Sequence, residues 1–235
     1  MLKPVENYRA HERGLTLIEV MVVVVLGAIL TTGAVLGTGA ATNARVKSAS
    51  TIIASAIRVA FTRSSSTSKC MRVVLDMDRQ SVLIEETSRP MLVRRDDETG
   101  GAEGVTEQEK EAIKEGERMT QGPKAARPMF KPVKAFGFDA DDPSQGRPLG
   151  RGVAIKRVEV ARSDKPQTSG RAYLYFWPGG MTERAAIELG RKDDTDTDTM
   201  LTVLVSPLTG KVKIAPGSKP MEKLRDESER EDRNF

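Results

Sequence analysis

The sequence predicts an α+β protein: one long N-terminal α-helix, its first half transmembrane, packed on a small antiparallel β-sheet domain. Three observations carry this. Residues 15–41 form an almost unbroken apolar run in which Glu19 is the only charge. Residues 42–63 carry apolar side chains at spacings of three and four, the helical period. From residue 70 onward the apolar residues fall into short runs separated by turn-like clusters, the pattern of strands.

Composition bounds the rest. The chain has 235 residues, 30% charged and 38% hydrophobic, with only 4% aromatic. That supply suits one small packed domain with long polar excursions. The net charge is +4, but the signs are interspersed and no basic stripe is interleaved with aromatics, so no nucleic-acid partner is expected. Cys70 is the only cysteine, which excludes an intramolecular disulfide. His11 is the only histidine and precedes the apolar run. If the N-terminus is processed away, Ser-His-Asp chemistry and His-ligated metals go with it. The sequence has no phosphate-binding G-x-x-x-x-G-K-[ST] and no G-x-S-x-G nucleophile elbow. The expectation is a protein without enzymatic activity.

The apolar run is long enough to cross a bilayer, which takes about 20 helical residues. A carboxylate inside a span costs roughly 2.5 kcal/mol or more, so Glu19 needs a reason. Lys3, Arg9 and Arg13, with Glu6 and Glu12, stand before the run, and Arg45 and Lys47 follow it. These flanks give no decisive vote on orientation. Three readings follow: a simple anchor with Glu19 near the interface, a cleaved secretory signal peptide ending in the small residues 37–41, or a leader cut immediately before the run. Gly27, Gly33, Gly37 and Gly39 lower helix propensity and permit close helix packing in lipid.

Val46, Ala49, Ile53, Ala56 (or Ile57) and Ala60 form the buried stripe of an amphipathic continuation over 42–63. SSSTSK at 64–69 ends the helix. MRVVLDM and SVLIEET, within 71–87, form a hairpin around a charged DRQ turn, and MLVRR at 91–95 extends the sheet. A polar insertion occupies about 96–130. Its acidic, glycine-bearing stretch 96–125 is expected to be a mobile loop, with a solvated helix from Thr106 to Glu117 opened by a Thr106–Glu109 capping box. VAIKRVEVA at 153–161 changes alternation phase, which places a bulge near Arg157. RAYLYFW is a strand, Pro178-Gly179-Gly180 turns the chain, and AAIEL returns. MLTVLVSP and KVKIA close the domain around Leu208-Thr209-Gly210. The globular domain thus spans 64–215, and 216–235 is expected to be a disordered charged tail.

Arg13-Gly14 followed by Leu15-Thr16-Leu17-Ile18-Glu19 and a long aliphatic run resembles the N-terminus of type IV pilins and pseudopilins. The resemblance implies a leader at 1–14, removed by a prepilin peptidase between Gly14 and Leu15. It also implies N-methylation of Leu15, where the family usually has Phe, and an assembly role for Glu19 at mature position five. The order of strands and turns from 71 to 95 and 150 to 215 resembles the GspH/FimT-like family, the H-type minor pseudopilins of type II secretion. Gly179 stands where that family often has an acidic residue. The resemblance implies a pseudopilin fold, a single-pass inner-membrane protein with its globular domain in the periplasm, and assembly into a pseudopilus. Its partners would be the prepilin peptidase, other major and minor pseudopilins and an inner-membrane assembly platform. A minor pilin of a type IV pilus or DNA-uptake machine is the near alternative. A membrane-anchored periplasmic binding module is the far one.

No cofactor is expected. Asp193, Asp194, Asp196 and Asp198 in KDDTDTDT form a weak calcium candidate, since an oxygen-rich loop suits that ion but the glycine and final glutamate of an EF-hand are missing. Asp139, Asp141 and Asp142 form a second, weaker acidic loop. Lys124, Arg127, Lys131 and Lys134 form a modest basic patch.

Overall fold

The computed structural model describes residues 16–94, 97–119, 126–134, 142 and 144–221, and for 30–42 the helical backbone alone. The chain divides into two compact units, Met1–Ala41 and Thr42–Phe235. The element order is helix first, antiparallel sheets after, as the sequence predicts.

Helix α1 runs from Leu17 to Thr67. Within the second unit its buried stripe is the one read from the periodicity: Val46, Ala49, Ile53, Ala56, Ile57 and Ala60 are all at 1% exposure or less. Burying each of the two isoleucines contributes about 1.5–3 kcal/mol. The helix continues four residues past the expected end. Ser64 and Ser65 donate to the Phe61 carbonyl at 2.9 and 3.0 Å, and Thr67 donates to the Arg63 carbonyl at 2.7 Å. These hydroxyls fold back on the helix instead of breaking it. Ser68, at φ 54, ends it.

Strands β1 (Cys70–Asp76) and β2 (Ser81–Thr87) form the expected hairpin, with Cys70 opposite Thr87 and Asp76 opposite Ser81. β3 (Lys131–Pro132), β4 (Arg147–Pro148), β5 (Val153–Val160), β6 (Arg171–Trp177), β7 (Met181–Thr182), β8 (Ala185–Arg191), β9 (Leu201–Val205) and β10 (Val212–Pro216) follow. They make two antiparallel sheets rather than one. The first is ordered β3-β2-β1-β6-β7 with β4 also on β2, and the second β10-β9-β8-β5. The chain changes sheet after the two-residue strand β7, so AAIEL leaves β6 and pairs with β5 and β9. The bulge falls where the phase change put it, with a register shift between Ile155 and Arg157. MLVRR is not a strand over 91–94; the far edge of β2 is taken by β3 and β4 instead.

One core joins the α1 stripe to the inner faces of both sheets, with Val73, Leu75, Leu174 and Phe176 from the first and Ile155, Ile187, Leu189 and Val203 from the second. A second apolar cluster covers the outer face of the first sheet. It unites Val74, Leu83, Tyr173 and Tyr175 with Met91, Ala102 and Phe130. β1 is therefore buried along its whole length. Ala102 and Phe130 of the polar insertion supply part of that cover, a correction to its reading as a mobile loop that buries little. Its helix α2 (Glu107–Met119) begins at the expected capping box: the Glu109 amide donates to Thr106 Oγ1 at 3.2 Å, and the Thr106 amide to Glu109 Oε2 at 3.0 Å. Residues 217–221 also hold to the domain. The Gly217 amide donates to the Met200 carbonyl at 2.8 Å, and the Met221 amide to Glu159 Oε2 at 2.5 Å. The rest of the expected tail, 222–235, lies outside the described residues.

Candidate functional site

The strongest sequence-level site is the head of α1. Gly14 and Leu15 lie outside the described residues. Thr16 is the first described residue, and its Oγ1 accepts from the Glu19 amide at 3.3 Å while its carbonyl accepts from Val20 at 3.2 Å. Thr16 thus caps the helix and Glu19 stands in the first turn, where a carboxylate also favours the positive end of the helix dipole. This cap was missed in the sequence, although Thr-x-x-Glu spells it. From Leu17 to Ile29 every large apolar side chain is exposed, Leu17 at 80% and Ile29 at 62%. A surface of that size requires an apolar environment, either lipid or other helices. Among the described residues no helix is long and apolar enough to cross a membrane. The stretch read from the sequence, 15–41, extends past the described side chains, which cover 16–29 of it.

In the acidic loop the described carboxylate contacts are to the loop itself. Asp194 accepts from the Asp196 amide at 2.9 Å and from Thr199 Oγ1 at 3.0 Å, and Asp196 accepts from the Asp198 amide at 3.0 Å. Asp196 thereby caps the short 3-10 turn Thr197–Thr199. These carboxylates organise their own loop. Among the described residues no group of three or more histidine, cysteine or acidic side chains is placed to hold a metal ion. Of the second acidic loop, Asp139 and Asp141 lie outside the described residues. Asp142 accepts from the Ser144 hydroxyl at 2.6 Å and its amide at 3.0 Å.

The basic patch is dispersed as well. Lys124 lies outside the described residues, and Lys131 and Lys134 are exposed. Arg127 instead ties the insertion together, meeting Asp97 at 2.9 Å and Glu117 at 3.3 Å. Burial pushes the Asp97 carboxyl up, but Arg127 and Thr99 outweigh it and hold it below its ordinary value.

Sequence reasoning also missed the buried charges beneath the insertion. Arg72 is fully buried between the rings of Phe130 and Tyr173, 4.4 and 4.3 Å from their centroids, and its Nε meets Glu85 at 2.5 Å. Arg162 meets Glu183 at 2.5 Å and lies over Tyr175. Burial raises the Glu183 carboxyl against the pull of Arg162. The signal was present: a strand of otherwise apolar residues that holds an arginine, opposite a run of tyrosines. Both pairs lie against the insertion, Arg72 through Phe130 and Arg162 through Tyr175, whose hydroxyl donates to the Thr99 carbonyl.

The head of α1 has a counterpart among known families. Residues 9–35 match the family model of the prokaryotic N-terminal methylation motif. The N-terminal segment is type IV pilin-like. This pilin-like segment includes Gly14, Leu15 and Glu19, and the pilin-like class implies processing by a prepilin peptidase and assembly with other pilins. A comparison with curated proteins gives no match. Among solved structures the chain is similar to the minor pseudopilin EpsH from the Type 2 Secretion System of Vibrio cholerae. The identity is 11% and the TM-score 0.38, over 75% of this chain and 99% of that one, a likeness too distant to carry an argument.

Proposed function

We propose that the chain is a minor pseudopilin of a type II secretion system. A prepilin peptidase cuts it after Gly14, and Leu15 is methylated. Its helix holds it in the inner membrane with the globular domain in the periplasm. It then joins other pseudopilins on an inner-membrane platform in a periplasmic filament that helps export folded proteins. It carries out no catalysis of its own.

The observation that carries this reading is the methylation motif at 9–35 leading into α1, with Glu19 in the first turn and exposed apolar side chains from Leu17 to Ile29. Cleavage would free the α-amino group of Leu15. In a stack of such helices, Glu19 of one subunit pairs with the ammonium of a neighbour inside an apolar bundle, where either charge alone is costly. The pairing would favour one axial register over the others.

The test is deletion in the native host, complemented by wild type and by Glu19→Gln. Secreted hydrolases, surface pili and the intact mass of the protein are then measured. Secretion lost with pili intact, a mature N-terminus at methylated Leu15, and no rescue by Glu19→Gln are the expected results. Lost pili with secretion intact would assign the chain to a type IV pilus. Retention of residues 1–14 in a host with active peptidase would overturn both filament readings.

A further inference from the structure

We propose that the open edge of β10 accepts an extended acidic segment of a second polypeptide as an added strand. Among the described residues β10 is the end strand of the four-stranded sheet. The Ser206 amide donates to the Lys211 carbonyl, and the Gly217 amide donates to the Met200 carbonyl. With Ile214 opposite Val203, the antiparallel alternation commits Lys211, Lys213, Ala215 and Gly217 to β9. Val212 and Ile214 then turn their N–H and C=O groups to the open side. Ile214 is 39% exposed beside a half-buried Val212. The edge therefore offers both backbone pairing and an apolar alternation for an added strand.

Charge selects the occupant. Lys211 and Lys213 are exposed on this edge. Phe61 of α1 lies against Gly210, in the turn leading to β10. At about 100° per residue, Lys47 and Arg58 fall within about 60° of Phe61 around the helix, and both are exposed. From residue 42 to 69 the sequence contains no acidic residue. Among the described residues none of Lys47, Arg58, Lys211 and Lys213 is in an ion pair, whereas Arg63, on the other flank, meets Glu86. A second copy of the same edge would bring lysines against lysines, which opposes self-pairing. An acidic strand meets the opposite sign at Lys211 and Lys213 on the edge itself. The proposal does not depend on the filament reading.

The probe is a short labelled peptide alternating glutamate with valine, titrated into the full chain in detergent, with a lysine-for-glutamate peptide as its counterpart. The acidic peptide is expected to bind saturably. Lys211→Glu with Lys213→Glu, a surface change that leaves the fold intact by circular dichroism, is expected to weaken it at least about tenfold. Ile214→Pro removes an outward N–H without touching the β9 ladder and is expected to do the same. Equal binding of the lysine peptide would overturn the proposal. So would unchanged affinity in the double lysine variant, or a dimer in sedimentation that Ile214→Pro dissolves.

Discussion

The Tyr173 hydroxyl donates to Glu109 Oε1 at 2.6 Å, so a strand in the middle of the first sheet holds the first turn of α2. Glu109 Oε2 meanwhile accepts from the Val105 and Thr106 amides at 2.7 and 3.0 Å. One buried carboxylate is both sheet anchor and helix cap. Burial, reinforced by Glu109, raises the Tyr173 hydroxyl against the pull of Arg72, so it remains a donor at physiological pH. Tyr173→Phe removes a hydrogen bond to a charged acceptor and is expected to cost about 1.5–3 kcal/mol. Hydrogen exchange should locate the loss at residues 105–112, with α1 amides unaffected below global unfolding. Unchanged protection at 105–112 would show that the contact does not anchor the insertion.

Arg72 and Glu85 make a different kind of contact, a charge pair with both side chains out of water. Arg72→Met leaves Glu85 buried without its partner and is expected to cost about 3–5 kcal/mol. Replacing both, by Arg72→Met with Glu85→Leu, removes the stranded charge and should recover most of that loss. Urea midpoints of the two variants check this. A double variant no more stable than the single would place the energy in the stacking of Arg72 between Phe130 and Tyr173 rather than in the charge pair.

Gly210 is required by its surroundings. It sits at φ +58, and a Cβ there would overlap the Phe61 ring. Gly210→Val combines a left-handed conformation that a β-branched residue resists with a clash against the helix. It is expected to cost about 2–4 kcal/mol, read as a drop in thermal midpoint. The companion Gly210→Val with Phe61→Ala should recover part of the loss by removing the clash alone. No recovery would assign the whole cost to the backbone.

How far the sequence reached follows from what periodicity reports. It reports which face of an element is buried, and so the α1 stripe, the β1–β2 hairpin, the Arg157 bulge and the α2 cap were all legible. It does not report what lies on the second face. Val74, Leu83, Tyr173 and Tyr175 look like the outward half of an alternating pattern, and only tertiary structure shows Met91, Ala102 and Phe130 packed on them. The insertion was misjudged because it places few large apolar residues there. Ala102 and Phe130 supply its apolar share, and polar contacts from Thr99, Glu109 and Arg127 hold the rest. The change of sheet after β7 was also invisible, since a strand's pattern does not name its neighbour. At the head of α1, the pattern of Gly14 and Glu19 before an aliphatic run was legible as the motif that the family model matches over 9–35. In the acidic loop composition alone could not separate the two readings, because loop-capping aspartates and calcium ligands share it.

The Asp97–Arg127 contact gives the insertion a pH dependence whose sign is fixed. The Asp97 carboxyl is half-buried, which alone would raise it, but hydrogen bonds from Arg127 and Thr99 and the guanidinium charge take it below its ordinary 3.8. A folded-state value below the unfolded one means that the unfolded chain binds the proton more readily. The contribution is therefore complete above the unfolded value. It is lost as pH falls from about 3.8 through the lower folded value. Asp97→Asn should be less stable than wild type at pH 6, and the difference should shrink as the pH falls toward about 2. Urea midpoints of both proteins across that range make the test, because carboxylates common to both cancel in the difference. A gap that stays constant with pH would mean that Asp97 contributes through neutral hydrogen bonding, and its charge would then have no part in fastening the insertion to Arg127.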